Sequence, residues 1–180
     1  MAESLQAFVD TVVANTAGLP SPETLAAWSP DLSGVMDLHI EADGRWIHEG
    51  REIQREGLVR LFASILRRED DGNYYLVTPA EKWQISVERH ALQGIDCVLE
   101  QGPEGPTWSV LLNTGGRCRL TPAALNTAQD DPAPWVSLPN GLSAQISRAA
   151  WYRLVEAASV IGDRVCIQSD GQMIDLGAST

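Results

Sequence analysis

Several kinds of functional site are missing from this sequence, and their absence narrows what the protein can do. Its three cysteines, Cys97, Cys118 and Cys166, lie far apart and form no C-x-x-C pair. Neither a zinc knuckle nor a disulfide framework is therefore predicted. The motifs G-x-S-x-G, G-x-G-x-x-G and H-E-x-x-H and the P-loop are also absent, which removes the common signatures of catalytic and cofactor sites. We predict a protein without enzymatic activity and without a cofactor.

Positive charge is scarce, and no apolar run is long enough to cross a bilayer. The 180 residues include 13 Lys and Arg against 24 Asp and Glu, which gives a net charge of −11 at pH 7. A field of that sign repels phosphate backbones and anionic lipids, so we expect neither general nucleic-acid binding nor membrane association. The acidic first residues do not resemble a signal peptide, and reduced thiols suit the cytosol. We therefore expect a cytoplasmic protein.

Amphipathic helices are predicted at a few places in the chain. Apolar residues recur at three- and four-residue spacing over 3–16, which predicts a helix packed on the chain's own core, with a partner helix in a dimer as the alternative. Ser21 before Pro22 is typical of the start of a short helix. The remaining predicted helices are 54–68 and, after a Ser147 cap, 149–161.

Strands are predicted where apolar and polar residues alternate beside strong turn signals. The turns are Asp43-Gly44, Asn140-Gly141 and Asp170-Gly171, dipeptides that favour tight hairpins. The predicted strands are 36–41, 46–49, 74–77, 83–87, 95–100, 107–113, 117–120, 135–138, 142–146, 165–168 and 173–176.

An internal repeat connects the two longer helices. IQREGLVRLFASI at 53–65 aligns without gaps with ISRAAWYRLVEAA at 146–158. Each segment follows a predicted hairpin and precedes a strand, which predicts a duplicated β-β-α-β unit. A ligand site where two such units meet is the functional expectation. Amphipathic helices can also match by chance, because they share one 3.6-residue period.

Cationic and aromatic residues are concentrated in the first half of this acidic chain. The densest group is Arg55, Arg60, Arg67, Arg68, Tyr74, Tyr75 and Lys82, with the hydroxyl of Thr78 among them. Guanidinium groups bind phosphate or carboxylate with paired hydrogen bonds, and tyrosine offers a ring face and a hydroxyl. We expect an anion site here, with Arg60 and Arg67 on one flank of the 54–68 helix. The structural alternative is that Arg67 and Arg68 offset the helix dipole and pair with the acidic run 69–71.

Two further constellations have simpler explanations. Asp37, His39, Glu41 and His48 lie on neighbouring predicted strands. Such groups can bind a divalent metal, and Asp37, His39 and His48 could then serve a metal-dependent hydrolase. A solvated strand face explains the same alternation, so no metal site is predicted. Adjacent Glu81 and Lys82 are predicted to form a structural ion pair.

The runs DGRWIHEGREIQREGLVRLF and LRREDDGNYYLVTPAEKW resemble a bacterial family known as domain of unknown function 1285. The resemblance is dense from about Trp28 to Trp83 and continues more loosely through Asn113 and the second long helix. It implies a core built by duplication, a C-terminal half that looks like pleckstrin-homology folds, and a site at the domain interface for a nucleotide-like ligand. It also implies a role in signalling and no known enzymatic activity.

The resemblance and the residue pattern together predict an α+β protein of duplicated β-β-α-β units. We expect an N-terminal helix in 1–19, a first unit at 20–80, and a second, mostly antiparallel unit at 81–180. The predicted function is a ligand-binding or sensor module for a small anion, with a protein-interaction domain as the alternative. The predicted ligand-binding residues are Arg60, Arg67, Arg68, Tyr74, Tyr75, Thr78, Glu81, Lys82, Trp83 and Asn113. Charge would come from the arginines and the lysine, stacking from the aromatic rings, and hydrogen bonds from Thr78 and Asn113.

Overall fold

The computed structural model describes residues 7–10, 12, 18–127 and 133–179, and the chain divides into two compact units. The first comprises Met1–Glu88 with Pro139–Gly141, and the second comprises Arg89–Leu138 with Leu142–Thr180. Within the described ranges, no helix has the length and apolar character that a membrane span requires. The mixed α+β class is confirmed, because a few short helices accompany three sheets.

The helices are α1 (Pro22–Ala27), α2 (Glu56–Ser64) and α3 (Arg148–Glu156), and residues 7–10 and 12 are also helical. The first six strands are β1 (Leu32–Ile40), β2 (Trp46–His48), β3 (Arg51–Glu52), β4 (Leu66–Arg68), β5 (Tyr74–Val77) and β6 (Lys82–Val87). The next six are β7 (Leu92–Gly102), β8 (Gly105–Leu112), β9 (Arg117–Arg119), β10 (Leu125–Asn126), β11 (Trp135–Ser137) and β12 (Ser143–Ile146). The last three are β13 (Ser159–Ile161), β14 (Arg164–Ser169) and β15 (Gln172–Ala178).

A six-stranded sheet with the order β3-β2-β1-β6-β5-β4 forms the first unit. Its core contains Trp46 and Phe62, whose ring centroids lie 6.2 Å apart. Phe8 packs on Phe62 at 6.0 Å, and both Phe8 and Val12 are buried. The described part of the N-terminal helix therefore packs on the core of its own chain, as predicted; the rest of 3–16 lies outside the described residues.

The second unit contains another six-stranded sheet, of order β10-β11-β12-β7-β8-β9, and the three-stranded sheet β13-β14-β15. Helix α3 begins at the predicted cap, where the Ser147 hydroxyl accepts a hydrogen bond from the N–H of Ala150 at 3.2 Å. The buried face of α3 carries Ala150 and Leu154. This capping bond supplies an acceptor for one of the N–H groups that a helix start leaves unpaired.

The two large sheets share one topology. Read from β9, the second sheet has the order 9-8-7-12-11-10, which is the order 3-2-1-6-5-4 of the first sheet moved on by six strands. In each sheet the first and sixth strands pair in parallel, and the other neighbours are antiparallel. The sequence carries matching traces about 60 positions apart: Gly34 with Gly94, Tyr75 with Trp135, and Gln84-Ile85-Ser86 with Gln145-Ile146-Ser147. The duplicated element is therefore the six-stranded sheet.

This topology corrects the predicted repeat between the helices. The order strand, strand, helix, strand does occur twice along the chain, but α2 leads to β4 in the same sheet, whereas α3 leads to β13 in a different one. The helices therefore occupy different places relative to the sheets. The predicted division at residue 80 also differs from the structure, because β6 pairs in parallel with β1 and so belongs to the first sheet.

Both long helices end earlier than predicted, because strand pairing takes over. Helix α2 stops at Ser64, and Leu66–Arg68 pair with Tyr74–Leu76 instead of continuing the helix. Helix α3 stops at Glu156, and Ser159–Ile161 pair with β14. Sheet hydrogen bonds outweigh the local helical pattern at both ends, and the burial of Leu66 adds to them at the end of α2. Arg67 consequently lies on a strand and not on a helix flank beside Arg60.

Candidate anion site in the first unit

Strand pairing places several of the predicted residues on one face of the first sheet. Arg67 of β4 faces Tyr75 of β5, and Val77 of β5 faces Lys82 of β6. Because side chains two positions apart on a strand point the same way, these four side chains share a face. Helix α1 contributes to it through Leu25, which forms a buried cluster with Tyr75 and Val77, packed against Trp28.

Arg67 is the most heavily bonded residue of this face. Its Nη1 donates to the carbonyl oxygens of Leu25 at 3.2 Å and of Trp28 at 2.7 Å. Both carbonyls lie at the C-terminal end of α1, where helices carry unpaired acceptors and partial negative charge. Its Nε and Nη2 donate to Oε1 of Glu69 at 3.1 and 2.5 Å. The guanidinium group thus joins the end of α1 to β4.

Glu69 is shared between two cations. Lys82 donates from Nζ to Oε1 at 3.3 Å and to Oε2 at 3.1 Å. Burial by itself would raise the pKa of Glu69, but the hydrogen bonds and positive charges of Arg67 and Lys82 outweigh it and lower that pKa below its usual value. Side-chain exposures of 13% for Arg67, 19% for Lys82 and 26% for Glu69 show that the cluster is shielded but still reachable.

Tyr75 closes one side of the cluster. Its hydroxyl donates to Oδ2 of Asp71 at 2.6 Å, and Nζ of Lys82 lies 4.9 Å from its ring centroid. The hydrogen bond from Tyr75 lowers the pKa of Asp71, and the same bond raises the pKa of Tyr75. Because Tyr75 is only 5% exposed, its ring packs in the core and does not present a stacking face.

The other predicted residues do not join this cluster. Arg60 is half-exposed and pairs with Glu56 at 3.0 Å, one turn away on α2. Arg68 donates to the Gly72 carbonyl, and its guanidinium carbon lies 5.7 Å from the ring centroid of Tyr74. Asn113 belongs to the second unit, where its Oδ1 accepts from the N–H of Gln93 at 3.0 Å.

The contacts of Thr78, Glu81 and Trp83 stabilise the fold and do not form part of the cluster. The buried Thr78 hydroxyl accepts from the N–H of Glu81 at 3.0 Å and closes the turn between β5 and β6. Lys82 pairs with Glu69 and not with its neighbour Glu81, which corrects the predicted ion pair. The ring of Trp83 lies against Gly34, where an added Cβ would sit 3.0 Å from Cζ3.

The surroundings of the histidines, carboxylates and cysteines show what metal or thiol chemistry they can support. Nδ1 of His39 lies 2.9 Å from Oγ of Ser86. Among the described residues, no three His, Cys, Asp or Glu side chains are grouped so that they could hold a metal ion. All three cysteines are free thiols, and burial raises the pKa of Cys97 to about 12, which leaves little thiolate at neutral pH.

Sequence reasoning identified Arg67 and Lys82 but missed what they hold. The sequence presents Glu69 only as part of an acidic run that neutralises arginines, and it gives no sign that the carbonyls of Leu25 and Trp28 take part. Arg67 does pair with Glu69, as the structural alternative expected, but from a strand and not from the end of a helix. The proximity of Lys82 to Glu69 could have been predicted from the two-residue period of the strands. It requires that Leu66–Arg68 be recognised as a strand that pairs with β5, which in turn pairs with β6.

Comparison with known proteins supports the resemblance. A family model described as Domain of unknown function (DUF1285), N-terminal domain, matches residues 23–90. A solved structure of a DUF1285 family protein from Silicibacter pomeroyi has a TM-score of 0.78 and 28% identity, covering 93% of each chain. Another, from Shewanella baltica, has a TM-score of 0.57 and 29% identity, covering 68% of this chain and 92% of that one. No curated protein matches this chain.

Proposed function

We propose that this chain, a member of the DUF1285 family, is a non-enzymatic sensor module that binds a small phosphorylated ligand at the cluster of Arg67, Glu69 and Lys82. The observation that carries the proposal is a pair of part-buried cations sharing a single carboxylate in a protein of net charge −11. A nucleotide is the candidate ligand class, and signalling is the proposed role.

Glu69 occupies the position that an external anion would take. Its carboxylate accepts hydrogen bonds from Arg67 and Lys82, both of which also suit phosphate. A ligand therefore binds by displacing Glu69, which swings toward solvent. Glu69 therefore acts as an internal competitor. The apparent affinity is the intrinsic affinity multiplied by the fraction of molecules in which Glu69 has already left Arg67 and Lys82.

Phosphate exchanges with Glu69 more favourably than another carboxylate does. A phosphate group carries a charge of about −1.5 to −2 and three strong acceptor oxygens, whereas Glu69 carries one charge. The hydrogen bonds from Arg67 to Leu25 and Trp28 need not break, because they use Nη1 while the ligand takes Nε and Nη2. The arginine thus stays oriented while its acidic partner is exchanged.

A thermal-shift screen with nucleotides and phosphorylated metabolites, followed by calorimetric titration of each hit, tests the proposal. We expect at least one compound to raise the melting temperature and Lys82→Gln to weaken its binding about tenfold or more, the loss of one charge-assisted contact. Arg60→Ala is the matched control, because Arg60 lies on the exposed surface of α2 and pairs there with Glu56, and it should leave affinity unchanged.

Two outcomes oppose the proposal in different ways. If no compound shifts a well-folded sample, the alternative of a protein-interaction domain without a small ligand is favoured. If a compound binds equally well to Lys82→Gln, the ligand site lies elsewhere. The pleckstrin-homology-like appearance of the C-terminal half stays a prediction of the family resemblance, supported by its predominance of antiparallel strands.

A further inference from the structure

Strand β13 differs from most of the other edge strands of the described sheets; the two-residue, half-buried strand β10, Leu125-Asn126, also lacks a charged residue. The edges β3, β4 and β9 carry charged residues, namely Arg51 with Glu52, Arg67 with Arg68, and Arg117 with Arg119. Proteins commonly place charges on sheet edges to prevent them from pairing with other chains. Strand β13 reads Ser159-Val160-Ile161, without charge or proline, at one edge of the three-stranded sheet.

The apolar side chains of β13 are open to solvent. Val160 is 62% exposed and Ile161 is 52% exposed, while Tyr152 and Val155 of the preceding helix α3 are also exposed. Isolated exposed apolar residues are ordinary, but a run of them on an unprotected strand edge marks an interaction surface.

The hairpin geometry shows which backbone groups of β13 face outward. Ile161 and Arg164 face each other across the two-residue loop Gly162-Asp163, so they form the hydrogen-bonded pair that closes the hairpin. Hydrogen-bonded and non-hydrogen-bonded pairs alternate along an antiparallel ladder. Val160 opposite Val165 is therefore a non-hydrogen-bonded pair, and the N–H and C=O of Val160 point away from β14.

We infer that β13 accepts an extended segment of a basic partner protein as an additional strand. The incoming strand would hydrogen-bond to both backbone groups of Val160 and pack apolar side chains against Val160 and Ile161, as in β-augmentation. The charge around β13 favours a segment of a different protein over a second copy of this chain as the added strand. Exposed Glu156 and Asp163 flank the strand, and two chains of net charge −11 repel each other. Lysine or arginine on both sides of an apolar core is the complementary chemistry.

The test is an NMR titration of the ¹⁵N-labelled full chain with the capped peptide Lys-Val-Thr-Val-Thr-Val-Lys. We expect saturable shifts centred on the Val160 amide, with a dissociation constant of about 0.1–1 mM. Val160→Pro removes the outward N–H without removing a bond to β14, since proline is tolerated at outward positions of edge strands. It should weaken binding at least about tenfold. Val160→Thr keeps the N–H and is the matched control, with an expected change of less than about threefold.

Other results would overturn the inference. Binding of the peptide to Val160→Pro with unchanged affinity would show that the strand edge is not used, provided that the β14 and β15 amide signals stay in place. The absence of shifts up to about 1 mM peptide would exclude this edge as a docking strand. Equal binding of a peptide with Glu at both ends would show that the partner segment need not be basic. A concentration-dependent dimer in sedimentation that Val160→Pro abolishes would assign the edge to a second copy.

Discussion

At the scale of single residues, Arg67 connects local structure to the proposed ligand chemistry. Its guanidinium group satisfies two carbonyls at the end of α1 and one carboxylate beside Lys82. The same residue therefore stabilises the first unit and forms half of the proposed site. Stability and binding must be measured separately, because substitution of Arg67 changes both.

Arg67→Ala should lower the free energy of unfolding by about 2–4 kcal/mol, because it removes the guanidinium donor from the carbonyls at the end of α1 and leaves Glu69 with Lys82 as its remaining cation. Urea denaturation at pH 7 measures this. Arg60→Ala removes an exposed pair with Glu56 and should change stability by less than about 0.5 kcal/mol. Equal effects of the two substitutions would show that the Arg67 bonds do not hold α1 in place.

The pH dependence of stability should report on Glu69. Because its folded pKa is lowered, the ionised Glu69 stabilises the folded state above its unfolded pKa of about 4.3. That contribution disappears as pH falls through the lower folded pKa. The stability difference between wild type and Glu69→Gln should therefore be constant from about pH 7 to 5 and shrink below about pH 4 in urea titrations. A difference that stays constant as pH falls below about 4 would contradict the ion-pair account.

At the scale of elements, the turn Pro139–Gly141 completes the edge of the first sheet. The N–H of Arg68 donates to the Asn140 carbonyl at 2.9 Å, and Nδ2 of Asn140 donates to the Pro22 carbonyl at 3.2 Å. An edge strand otherwise leaves such N–H groups unpaired. Gly141 lets the turn approach closely, because a Cβ there would lie 2.8 Å from the Arg68 carbonyl oxygen.

Gly141→Ala should destabilise the first unit more than Gly50→Ala does. Both glycines have a left-handed φ, +69° and +73°, and each follows a residue of positive φ, so both substitutions incur the conformational cost of about 1 kcal/mol. Only Gly141 adds a backbone clash, since nothing lies within 4 Å of a Cβ at Gly50. An additional loss of about 1–2 kcal/mol is expected in urea unfolding, and equal losses would refute the close approach.

Strand β5 shows which elements can be read from sequence alone. The predicted and observed limits of 74–77 coincide, because Tyr74-Tyr75-Leu76-Val77 combines strong strand propensity with a clear turn before it. The hairpins at Asp43-Gly44 and Asp170-Gly171 were likewise predictable from turn chemistry. Helix α2 ends early because Leu66 pairs with Leu76 of β5. The helical period of the sequence does not reveal this pairing with another strand.

The candidate site was predictable only in part, because the pairing of strands decides which residues become neighbours. Arg67 and Lys82 stand out by charge in an acidic chain, but their neighbours depend on strand register. Placing Arg67 on a helix put it beside Arg60, whereas its strand position puts it beside Glu69 and Tyr75. A shift from helix to strand changes every neighbour of a side chain, so composition alone could not supply the correct set.

At the scale of the whole molecule, duplication is visible in topology more clearly than in sequence. Two six-stranded sheets keep one strand order, while their sequences share only short traces such as Gln-Ile-Ser. The alignment of the two helices was the stronger sequence signal, yet it joins elements in different structural places. Helical periodicity produces such matches readily, whereas a parallel pairing of first and sixth strands is a more specific feature.

The net charge of −11 makes a prediction for the protein as a whole. Repulsion among like charges destabilises the compact state, and salt screens it over about 10 Å at 0.1 M. The free energy of unfolding should therefore rise between about 0.01 and 0.15 M NaCl. Urea denaturation at the two salt concentrations measures it. A decrease would mean that exposed ion pairs such as Arg164 with Asp175 outweigh the general repulsion.

The exchange of Glu69 for a ligand is the central claim, and the affinity of the Glu69→Gln variant for inorganic pyrophosphate tests it most directly. Calorimetric titration of wild type and variant, both folded, compares the two dissociation constants. Removing the internal carboxylate vacates Arg67 and Lys82, so the variant should bind pyrophosphate about tenfold or more tightly than wild type. Equal or weaker binding by Glu69→Gln would contradict the claim.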